Sequence, residues 1–149
     1  MKKTKLIDTL LADNDLTATE FSTVADKEKF IRSFVSLVES GFNPNKFTKA
    51  FYISLSNTFG HIAHYNQDGF WDAQLSTLSR RINFLNRALE YGCYGSAAYT
   101  HCDAEKIIQK WIGQSGIIEK LQEQFNREIE TREREILASL KAKYETQQA

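Results

Sequence analysis

The feature that most constrains this chain is its shortage of breaks: one proline and seven glycines are spread over 149 residues. Most of them fall between segments whose apolar residues recur every three or four positions, the period of an amphipathic helix. The expected fold is therefore all-α, a compact bundle of about six helices in one domain, residues 1–149. Apolar residues make up 42% of the chain and charged residues 26%, enough to close a core at this length.

The helices can be placed from their seams. Leu6, Ile7, Leu10 and Leu11 mark a short helix over 5–13. Thr17 and Glu20 have the spacing of a capping box, so a second helix is expected to start there. Phe30, Phe34, Val35, Leu37 and Val38 share one side of a helix from about Lys27 to Ser40, which Gly41 is placed to end. In "GFNPNKF", Asn43 reads as an N-cap and Pro44 as a first helical residue. A long helix over 44–65 follows, with Phe47, Phe51, Leu55, Phe59 and Ile62 as its buried stripe. "NQDG" then breaks the chain before a helix over 70–91, seamed by Trp71, Leu75, Leu78, Ile82, Leu85 and Leu89. These two helices are expected to form a central antiparallel hairpin.

Beyond Gly92 comes the longest loop, "GCYGSAAYTHC". A helix carrying Ile107, Ile108, Trp111 and Ile112 runs from near Asp103 to Gly113. Ser115 is placed to cap a last helix of about 30 residues. Its end, residues 130–149, is charge-rich with a thin apolar stripe. It is expected to project, fray or pair with another chain.

Candidate chemistry is sparse. His61 and His64 lie about 60° apart on the helical wheel, off the phenylalanine stripe, and share a face with Ser54 and Asn57. That face is the leading candidate binding surface. As a metal site, His61 and His64 would take Cys93, His101 and Cys102 from the long loop, and zinc would suit that donor set. The pair lacks the glutamate and four-residue spacing of a zinc protease helix. Without an export signal the two cysteines are expected to be free thiols in a reducing cytoplasm. Arg80, Arg81 and Arg87 offer a nucleic-acid alternative. Lysine plus arginine equals aspartate plus glutamate at 19 each, which does not favour a dedicated duplex binder. No apolar run is long enough to span a bilayer.

The leading functional expectation is a non-enzymatic protein-interaction module, of the kind mobile genetic elements such as phages and plasmids use to modulate or inhibit a larger host protein. It requires no cofactor, and its partner is a protein. Self-association as a homodimer through the last helix is part of the same expectation. A zinc-dependent enzyme built on the histidines is the alternative, and a nucleic-acid binder the second alternative.

Overall fold

The computed structural model describes residues 6–20, 22–58, 67–90 and 101–147. Among them the chain is all-α. Seven α-helices are joined by a 3₁₀ turn and a π-helical turn. Helix α1 spans Leu6–Asp13, α2 Val24–Glu39, α3 Lys49–Thr58, α4 Gln67–Phe70, α5 Leu78–Glu90, α6 Cys102–Ser115 and α7 Ile117–Gln147.

Three threonines set where helices begin. The expected start at Thr17 does not form, because the Thr17 N–H is donated to Asp103 Oδ2 at 2.8 Å and Thr19 closes a turn with Ser22. The capping box sits six residues later. Asp26 N–H donates to Thr23 Oγ1 at 3.1 Å, and Thr23 N–H donates to the Asp26 carboxylate at 3.0 Å. Both orphan donors of the α2 terminus are thereby met. The backbone and hydroxyl of Thr23 hold the Asp26 carboxyl below its usual range.

Helix α2 ends as the glycine implied. Gly41 has φ +77° and donates to the Val38 carbonyl, while Phe42 donates back to Leu37 at 2.9 Å. This paired arrangement satisfies the last carbonyls and brings the apolar residues Leu37 and Phe42 together, both buried. Phe42 itself has φ +60°, a left-handed conformation uncommon for a side chain of its size.

The long helix expected over 44–65 is broken in the structure. Asn43 does cap Pro44, accepting from Asn45 N–H at 3.0 Å, but the turn closes as 3₁₀ over Pro44–Lys46. Thr48 then restarts the chain. Its hydroxyl accepts from Phe51 N–H at 3.1 Å and its carbonyl from Tyr52 at 2.9 Å. A second strong N-cap five residues on thus takes over from the first. Phe47, Phe51 and Leu55 are buried as expected, whereas Phe59 and Ile62 lie outside the described residues.

The helix expected over 70–91 is also divided. Gln67 to Gly69 form α4 instead of a turn, and Trp71–Leu75 is a π-helical turn. Thr77 starts α5, its hydroxyl accepting from Arg80 N–H and its carbonyl from Arg81 N–H. Arginine side chains satisfy the widened carbonyls upstream: Arg81 Nε donates to Leu75 O at 2.8 Å, and Arg80 donates to the Asp72 carbonyl.

Packing centres on α6, which touches α1, α2, α3, α5 and α7. Ala104, Ile107, Ile108, Trp111 and Ile112 line its buried face. The segments expected to pair as a hairpin share this centre: α3 rests on α2 and α6, and α5 on α6 and α7. Helix α6 runs through Gly113 and stops at Gly116, where φ is +70°. Beside the centre lies an aromatic block. Phe47 stacks on Phe70 at 6.0 Å, Phe70 meets Phe84 edge-on at 5.7 Å, and Phe30 lies against Phe51 at 5.4 Å. Such pairs add to the burial of their large apolar area.

Candidate functional site

The face expected to carry a site is visible only in part. His61, His64 and Cys93 lie outside the described residues, as do the connection between α3 and α4 and most of the long loop. Asn57 lies on α3, and its side chain is outside the description as well. Ser54 is half-buried. With Ala50 it lines an open groove of about 970 Å³ between α2 and α3, faced by Ala25, Lys29, Ser33 and Ser36. Among the described residues, no group of three or more His, Cys, Asp or Glu side chains is placed to hold a metal ion.

The remaining residues of the metal alternative sit at the start of α6. Cys102 is buried and disulfide-bonded, which corrects the expectation of a free thiol there. The sequence holds one other cysteine, Cys93. His101 Nε2 lies 3.2 Å from Ser22 Oγ. Burial, and then the nearby Lys27 charge, hold this imidazole below its usual range, with Asp103 opposing them.

A serine beside a histidine resembles two members of a catalytic triad. The third is missing because the oxygens of Asp103 are engaged elsewhere. One accepts from Lys27 Nζ at 2.8 Å and from Ala104 N–H at 2.9 Å, and the other from Thr17 N–H. Among the described residues no carboxylate is hydrogen-bonded to the imidazole to orient it, as nucleophilic serine chemistry requires. The cluster fastens the 14–23 segment onto the first turn of α6.

Two residues on, Glu105 is 1% exposed, and neither of its carboxylate oxygens has a hydrogen-bond partner among the described residues. Desolvation raises its carboxyl to about 7, with Lys106 opposing. A charged residue in a pattern of apolar neighbours gave no sign of this burial.

The arginines of the nucleic-acid alternative are largely committed to the fold. Arg80 binds the Asp72 carbonyl and Ser76 Oγ. Arg81 binds the Leu75 carbonyl and lies 5.3 Å from the centre of the Phe42 ring, and burial lowers its pKa. Arg87 is exposed on α5.

A different surface stands out. Helix α7 packs against α5 and α6 through its first turns, where Ile117, Ile118, Leu121 and Phe125 cover the core. From Arg127 to Glu145 every residue is exposed. Ile129, Ile136, Leu137, Leu140 and Tyr144 are 37–55% exposed, five of the eight large apolar side chains left open among the described residues. Their flanks are charged, with Glu130 and Arg134 paired at 2.5 Å one turn apart. No helix among the described residues is long and apolar enough to cross a membrane.

Compared with known protein families, characterised proteins and solved structures, the chain matches none.

Proposed function

We propose that this chain is a protein-interaction module whose binding element is the distal half of α7, held out by the helical body. The observation that carries this reading is the run of open apolar side chains from Ile129 to Tyr144 on a helix that has left its own core. An isolated helix of that length gains little stability in water without an apolar face to bury. Helix-in-groove and helix-on-helix recognition use anchors at this spacing. The phenylalanines do not compete for this role: the seven between Phe30 and Phe84 that are described are all buried.

A photo-crosslinking residue placed at Leu137 or Leu140 tests the reading in cells of the source organism. Protein adducts are expected from those positions and not from exposed control positions on the body, such as Lys106. Adducts from the body alone would overturn it.

A further inference from the structure

We propose that Glu105 is a pH-operated latch at the centre of the fold: protonated, it lets the first turn of α6 close on the body, and ionised, it draws that turn open and frees the 14–23 segment. The latch does not depend on the reading of α7.

The carboxyl lies where a charge cannot stay. Glu105 is 1% exposed, and neither of its oxygens has a hydrogen-bond partner among the described residues. A neutral acid can occupy such a place, but a carboxylate without donors is held there only at great cost. Burial accordingly pushes this carboxyl up to about 7. Once ionised, it is driven to reach water.

Among the described residues, the elements packed on α6 bring no open counter-charge to it. Helix α2 presents Lys27, which Asp103 takes at 2.8 Å. Asp8 of α1 is bound to Arg32. Lys49 of α3, Arg87 and Glu90 of α5, and Glu119 and Lys120 of α7 are exposed, as are Asp15 and Glu20 of the 14–23 segment. On α6 itself, Lys110 reaches Asn14, and Lys106 favours the ionised form from an exposed position. His101, one turn earlier, is held below its usual range by burial and is neutral where Glu105 ionises.

The way out runs through the start of the helix. Cys102, Asp103 and Ala104 precede Glu105 in α6, whereas Ile107, Ile108, Trp111 and Ile112 follow it and are buried in the core. Unwinding from the N-terminal side therefore uncovers the least apolar surface, and local openings take the route that uncovers least. That first turn holds Asp103, which takes the Thr17 amide and the Lys27 ammonium, and it follows His101, which meets Ser22. The contacts that fasten the 14–23 segment are lost with it.

The closed form binds the proton more tightly than the open form, at about 7 against the ordinary 4.5. Closure is fully supported below pH 4.5, and the support is lost as pH rises through about 7. Between about pH 6 and about pH 8 the opening constant should rise about tenfold.

Hydrogen exchange of the full chain, read by mass spectrometry at those two pH values and corrected for intrinsic rates, tests the latch. About tenfold more opening is expected at the higher pH in peptides covering 17–23 and 103–108, with 34–38 of α2 unchanged. In Glu105→Gln the two conditions should give the same opening. An equal rise in every helix, no rise at the start of α6, or the same rise in Glu105→Gln would overturn the proposal. If that variant does not fold, carbon-13 NMR of the Glu105 carboxyl in the parent decides. A midpoint near 7 that coincides with the rise in exchange supports the latch, and a midpoint near 4.5 overturns it.

Discussion

Lys27 on α2 and Asp103 on α6 meet at 2.8 Å, with the lysine side chain wholly excluded from water. The contact ties the end of the 14–23 segment to the central helix, since the same carboxylate takes the Thr17 and Ala104 amides. Asp103→Ala removes the carboxylate that takes the Lys27 ammonium and the Thr17 and Ala104 amides, and is expected to lower stability by about 3 kcal/mol in urea unfolding. Replacing the whole pair, as Lys27→Met with Asp103→Ala, should cost less than Asp103→Ala alone, because no charge of the pair is then buried. Equal losses for the single and double variants would show that packing, and not the broken pair, sets the effect.

Glu105 makes stability depend on pH in a stated direction. Its folded pKa of about 7 lies above the ordinary 4.5, so the folded chain holds the proton more tightly than the unfolded chain. The stability it confers is full below pH 4.5 and is lost as pH rises to about 7. His101 works in the opposite sense, because its folded pKa is depressed. The difference between parent and Glu105→Gln isolates the carboxyl. The variant should match the parent near pH 5 and exceed it at pH 8 by on the order of 2 kcal/mol. A constant difference between those pH values would contradict the assignment.

Arg81 clamps the π-helical turn to the α2 terminus through the Leu75 carbonyl and the Phe42 ring. Arg81→Lys keeps the charge but not the planar group that makes both contacts. A loss of about 1–2 kcal/mol is expected for Arg81→Lys, nearly as much as for Arg81→Ala. Full stability in the lysine variant would mean that charge alone matters there.

The sequence was informative where one residue type has one dominant use. Gly41 stopped α2, the α2 and α6 apolar faces were buried, and α7 was recognised as longer than the body needs. Boundaries were lost where two caps compete within a few residues. "TATE" and "TVAD" have the same cap spacing, and only tertiary contact decides between them: Asp103, 86 residues away, takes the Thr17 amide. Thr48 and Thr77 divide helices that periodicity joins, because an apolar stripe continues in phase across a short break. The arginines illustrate the same limit. Arg80 and Arg81 reach back to carbonyls that the widened turn between them and Asp72 leaves open, contacts that a helical pattern does not reveal. Of the expected binding face, Ser54 is seen beside a groove. The exposed half of α7 was legible as charge density with a thin apolar seam, and the structure leaves that seam exposed.

The central claim is that α7 beyond Glu130 serves association and not the fold. Thermal melting of the full chain and of a chain ending at Glu130, with crosslinking from Leu137 in the full chain, tests it most directly. The account predicts the body's melting transition retained in both and protein adducts from position 137. A shortened chain that no longer folds, with no adducts from 137, would contradict it.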